Sequence, residues 1–170
     1  YEEANNEYSK GYNPEEAKTW LEYQDANNLY GLSMSEALPH KNFKWAYDIT
    51  LDEIMNYATS EDRGCTVEVD LEYPKELHDK HYDYPLAPYV RSVDKEELSE
   101  KQNQYLKKND KKFMPCKKLM SDFKDRLNYI VDSRNLKFYI EQGLKVTKIH
   151  KAVTYDTSRW LAAYIELNTE

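Results

Sequence analysis

Gly64-Cys-Thr-Val-Glu-Val-Asp-Leu-Glu-Tyr73 alternates without a break. Val67, Val69 and Leu71 point one way and Glu68, Asp70 and Glu72 the other, the period-two signature of a half-buried strand. Pro74 ends it. Beyond it, residues 82–90 carry Pro85 and Pro88 and read as extended or looping. Residues 94–108 are highly charged, with Leu98, Tyr105 and Leu106 the only apolar side chains, and predict a surface helix or a mobile insertion. Residues 126–131 read as a strand. Residues 133–142 read as a helix capped by Ser133 and stopped by Gly143. Residues 144–155 alternate again, with Val146, Ile149 and Val153 apolar. Thr157 or Ser158 then caps a helix carrying Trp160, Leu161, Tyr164 and Ile165. In the other direction, Thr50-Leu-Asp-Glu53 is a capping box for a helix through Tyr57, and residues 42–47 predict a short strand. Apolar positions 29, 32, 34 and 38 give residues 27–38 a helical spacing that Pro39 stops. Residues 20–24 are a short strand candidate, and residues 1–17 a polar, irregular lead-in. Strands and helices mix without a regular βαβ rhythm, which predicts an α+β fold. There is no internal repeat.

The 170 residues suffice for one domain or part of a larger one. The chain starts at Tyr1 and ends at Glu170 inside a helical pattern, and reads as an internal piece of a longer protein. No apolar run approaches the roughly 20 residues that span a bilayer, and no secretory signal is present, so no membrane partner is expected. Cys65 and Cys116 lie far apart, without metal-type spacing, and fit a reduced intracellular protein. The net charge of −7 disfavours nonspecific nucleic-acid binding by the chain as a whole. The local picture differs. Lys107, Lys108, Lys111, Lys112, Lys117 and Lys118 cluster, whereas the stretches from Glu2 to Glu22 and from Asp48 to Asp62 are acidic. Handling DNA takes a basic groove rather than a basic total.

Within Trp20-Leu-Glu-Tyr-Gln-Asp25-Ala-Asn-Asn-Leu-Tyr30-Gly-Leu-Ser-Met34 an apolar run delivers one aspartate to the start of a helix, with a tyrosine five positions on. Asp25-Ala-Asn-Asn-Leu-Tyr30 resembles motif A of the family B DNA polymerases, D-x-x-S-L-Y-P. The match is to the protein-primed branch carried by organellar plasmids, viruses and Polinton/Maverick-type self-synthesising transposons. Two further segments run in the order of that branch. One is Val67-Glu-Val-Asp-Leu-Glu-Tyr-Pro74 through Leu77-His78-Asp79 to Asp83-Tyr-Pro-Leu-Ala-Pro88. The other is Tyr129-Ile-Val-Asp-Ser-Arg-Asn-Leu136 through Gly143-Leu-Lys-Val-Thr-Lys-Ile-His150 to Trp160 and residues 164–170.

The resemblance implies a partial palm at 18–63, an inserted subdomain at 64–155 and a return helix at 156–170. It implies template-directed nucleotidyl transfer with a DNA template-primer and deoxynucleoside triphosphates as partners, and a terminal protein for priming. Polymerisation joins a 3′-hydroxyl to an α-phosphate, and two divalent ions can stabilise the attacking and leaving oxygens. Magnesium takes few carboxylates, so a sparse aspartate site suits it. Asp25 maps to a ligand of Mg2+ and Ala26 to a backbone-carbonyl ligand. The second carboxylate is expected outside this chain. Backbone N–H groups of Asn27, Asn28 and Leu29 map to the triphosphate, and Tyr30 to the gate that excludes a 2′-hydroxyl. Asn28 stands where the family has serine and Gly31 where it has proline, a change expected to loosen the turn that holds Tyr30. The lysine cluster falls where the branch contacts DNA and terminal protein.

Plainer roles compete. Asp25 is a natural helix cap, Tyr30 a natural packing residue, and the lysines a solvated face. Asp70-Leu-Glu72 invites comparison with the D-x-E of proofreading exonucleases. It follows Asp25 instead of preceding it, so the outer face of a strand is expected, with a metal nuclease on Asp70 and Glu72 as a remote alternative. His78 and His81 lack a completing ligand set and predict a polar turn. Tyr155-Asp-Thr-Ser158 mimics motif C, Y-x-D-T-D, but lacks its second aspartate, so Asp156 is expected in a turn.

Overall fold

The computed structural model of the chain describes residues 3–169, so Glu2 and Glu170 lie outside the described residues. In chain order the elements are α1 (Leu29–Ser35), β1 (Leu38–Ala46), α2 (Leu51–Thr59), β2 (Arg63–Glu72), β3 (Tyr89–Ser92), α3 (Glu100–Lys108), β4 (Lys117–Met120), β5 (Arg126–Asp132), α4 (Ser133–Glu141), β6 (Lys145–Ser158) and α5 (Ala162–Leu167). The fold is α+β, as the mixed patterning predicts. No helix among the described residues is long and apolar enough to cross a membrane. Two compact units form, Tyr1–Glu36 with Leu161–Glu170, and Ala37–Trp160.

In the larger unit, β1, β6, β2 and β5 lie side by side in that order, every neighbour antiparallel. The alternation of Gly64–Tyr73 becomes β2, with Cys65, Val67, Val69 and Leu71 buried. α2 and α4 pack over that face. Ile54 from α2 and Leu136 from α4 join Val131 and Ala152 against it in one core. α2 starts at the expected capping box: Glu53 N–H donates to Thr50 Oγ1 at 3.3 Å, and Thr50 N–H donates to Glu53 Oε2 at 2.8 Å. At Gly64 a Cβ would stand 2.6 Å from the Tyr155 ring, so only glycine lets that ring lie across the strand.

Several expectations fail where tertiary pairing overrides local pattern. Pro39 does not stop a helix. α1 already ends at Ser35, and Leu38 and Pro39 open β1, an edge strand that tolerates a missing N–H donor. Thr157 and Ser158 do not cap a helix, and Asp156 is not in a turn. All three extend β6, where Thr157 donates its N–H to Asp62 O and its hydroxyl to Glu61 O. α5 begins without a side-chain cap. α4 is capped by Asp132, whose Oδ1 accepts from Arg134 N–H at 2.9 Å, rather than by Ser133, which is buried.

A smaller lobe of the same unit is the β3–β4 ribbon with α3. Buried Arg126 ties it to the sheet. Its Nε donates to Ala87 O at 2.7 Å, its Nη2 to Asp122 O at 2.7 Å, and its Nη1 to Lys124 O and Asp122 Oδ1. The guanidinium carbon lies 4.2 Å from the Tyr89 ring centroid. Arg91 and Lys124 close the network on Glu97 and hold that carboxyl far below the usual range. In the smaller unit, residues 3–19 make turns without helix or strand. Asn5 Nδ2 knits them by donating to Asn13 O and Ala17 O, and Asn5 N–H donates to Thr19 Oγ1. α5 packs on α1.

Candidate functional site

The strand expected at residues 20–24 is absent. The chain there enters no ladder, and Trp20, Leu21 and Tyr23 are exposed. An isolated strand has no partners for its backbone groups, and no other described segment pairs with it. Asp25, Ala26 and Asn27 follow in this exposed stretch. The Asp25 carboxylate takes part in no hydrogen bond or ion pair among the described residues, so it is not the helix cap.

The cap is Asn28. It sits in the left-handed region at φ 54°, where asparagine is favoured, and its Oδ1 accepts from Gly31 N–H at 3.0 Å. α1 starts at Leu29, so Tyr30 lies in its first turn, 87% exposed. Tyr30 is therefore no packing residue in this unit. Gly31 is buried, and a Cβ on it would meet the Asn28 side chain at 2.2 Å. A proline there would lack the N–H that Asn28 caps and would disfavour the helical backbone of Tyr30. The two departures from D-x-x-S-L-Y-P are thus one device, and Gly31 tightens the turn rather than loosening it. Sequence patterning missed this pairing. The signal was an asparagine three residues before a glycine at a helix start.

Elsewhere the predicted residues separate. Lys107 and Lys108 end α3, Lys111 and Lys112 lie in the connection after it, and Lys117 and Lys118 are on β4. Lys112 and Lys118 line a groove of about 680 Å³ with Leu98, Leu106, Phe113 and Met114, and Lys111 reaches over the Tyr105 ring. Asp70 and Glu72 project from the uncovered face of β2, and Asp70 is engaged. Asn128 N–H donates to it at 2.8 Å and His150 Nε2 lies 2.9 Å away, which together hold its carboxyl below the usual range. Glu72 faces Lys145 at 3.7 Å. His78 and His81 lie in a turn, but the turn is packed. His78 stacks on Phe123 at 4.5 Å between centroids, and His81 is buried with its Nδ1 2.8 Å from the Tyr73 hydroxyl. Asp156 accepts from Asn42 Nδ2 at 2.7 Å.

Among the described residues, no group of three or more His, Cys, Asp or Glu side chains is placed to hold a metal ion. An Asp25 carboxylate without a partner among the described residues, followed by the Ala26 carbonyl, suits a magnesium ion that keeps most of its ligands from phosphate and water. Compared with family models, curated proteins and solved structures, the chain matches none.

Proposed function

We propose that the chain is part of the palm, with its inserted subdomain, of a protein-primed family B DNA polymerase that replicates a mobile element, plasmid or virus. The observation that carries this reading is the Asp25–Tyr30 turn. It offers a carboxylate without a partner among the described residues and an exposed tyrosine on either side of a capped helix start. Asp25 and the Ala26 carbonyl hold magnesium, and the second carboxylate comes from outside these residues. Magnesium, when bound, neutralises charge on the reacting phosphates. Tyr30 lies beneath the deoxyribose and leaves no room for a 2′-hydroxyl.

Asp25→Asn in the full-length protein is expected to abolish synthesis while DNA binding persists; unchanged synthesis defeats the assignment. Residues 1–170 alone are expected to incorporate no nucleotide, because one carboxylate holds two ions poorly. The lysine-bordered groove favours a second reading, a non-catalytic relic that binds DNA or a terminal protein. A motif B and a Y-x-D-T-D downstream in the reading frame select the enzyme, and an early stop selects the relic.

A further inference from the structure

We propose that Asn28, acting with Gly31, is the positioning residue of the sugar gate: it fixes the backbone under Tyr30 and so sets how strictly a ribonucleotide is refused. The inference rests on the polymerase reading and gives Asn28 a task that the resemblance does not. The gate has no side-chain support of its own. Tyr30 is 87% exposed, and its ring takes part in no hydrogen bond or ring contact among the described residues. An aromatic side chain in a helix is confined to few χ1 rotamers, so the ring follows its Cα. Excluding a 2′-hydroxyl sets one oxygen against one ring, and depends on ring placement to within about 0.5 Å. The backbone that carries Tyr30 therefore decides the selection.

Asn28 closes that backbone by accepting twice. Its Oδ1 takes Gly31 N–H at 3.0 Å, and its main-chain O takes Leu32 N–H at 3.0 Å. The donors are the two residues that follow Tyr30, so the turn shuts around it. Asn28 does this from the left-handed region, at φ 54° and ψ 49°, which asparagine and aspartate tolerate better than other residues with a side chain. Gly31 completes the device from the other side. It is buried, and its carbonyl accepts from the Ser35 hydroxyl at 2.9 Å. A Cβ on it would stand 2.2 Å from Asn28 Nδ2 and 2.7 Å from Asn28 Oδ1. A methyl there pushes the Asn28 side chain off the N–H that it caps. Proline after the tyrosine, as in the resembled pattern, restrains φ through its own ring. In this chain the restraint comes from Asn28 instead, and one substitution removes it while leaving Tyr30 in place.

The test is single-nucleotide incorporation by the full-length protein on a primed template, read as kcat/KM for a deoxynucleotide over that for its ribonucleotide. A loss common to both sugars cancels in this ratio. Asn28→Ala lowers the ratio about tenfold. Gly31→Ala lowers it with Asn28 itself intact, so two variants read the device, and combining them brings no further fall. Asn28→Asp, which keeps the acceptor and tolerates the left-handed backbone, retains the ratio of the unsubstituted protein. Tyr30→Ala lowers the ratio more than either, and adding Asn28→Ala to it changes nothing, because Asn28 acts through the ring. A ratio unchanged in Asn28→Ala and Gly31→Ala overturns the proposal, as does a fall that persists undiminished in the Tyr30→Ala background. Both outcomes leave the polymerase reading standing, since the deoxynucleotide is still incorporated. Absence of incorporation by the unsubstituted full-length protein removes that reading and the gate together.

Discussion

Acid acts on the fold through His81. The Tyr73 hydroxyl accepts from Leu86 N–H at 3.1 Å, so its own proton goes to His81 Nδ1. The ring is then neutral, with its proton on Nε2, a buried atom without a partner. Burial, with Lys80 adding to it, pushes the His81 pKa below its ordinary value. An unfolded histidine titrates near 6.5. As pH falls below that value, the unfolded chain takes a proton that the folded chain refuses, and stability drops. The lowered carboxylates Glu68, Asp70 and Asp122 act in a lower window, since the stability they lend is lost only as pH falls below about 4. The urea midpoint is therefore expected to be lower at pH 5.5 than at pH 7.5, with the difference shrinking in His81→Gln. An undiminished difference in that variant would remove His81 from the account. The sequence revealed the turn around His81 but not its burial, which depends on Tyr73 at the end of β2 folding over it.

α1 depends on a pair of residues, and the pair predicts a reversal of sign. Asn28→Ala removes the acceptor for Gly31 N–H and is expected to cost α1 about 1 kcal/mol. Gly31→Ala alone drives a methyl into Asn28 and destabilises the helix. In the Asn28→Ala background the same change stabilises it, because alanine is the better helix former. Amide exchange at Leu32, whose N–H donates to Asn28 O, reads all three variants; additive effects would break the coupling. Other elements were legible in proportion to how locally they are determined. The Thr50–Glu53 box and the alternation of β2 lie wholly in neighbouring residues, and both form as expected. The start of β1, the last residues of β6 and the unpaired stretch at 20–24 depend on whether a distant strand arrives. There the local pattern misled. Asp25 and Tyr30 could be singled out as a motif, but the residue that sets the turn between them could not.

β1 and β2 run parallel with β6 between them, and β5 and β6 run parallel with β2 between them, so two split β-α-β units interlock. β6 is the strand that both units need. A chain ending at residue 143 is expected to show no cooperative urea transition, and extension to residue 160 to restore one; a sharp transition in the shorter chain would contradict this dependence. Thr154 on β6 donates to Lys44 O across 110 residues. During synthesis, then, β1 emerges long before β6, its one partner among the described residues. Until more than a hundred further residues have left the ribosome, its backbone groups and its exposed Phe43 and Trp45 stay open to other chains. Such late, non-local closure slows folding and lengthens exposure to aggregation. Lys41 and Lys44 on that waiting strand give it charges that discourage edge-to-edge pairing in the interval.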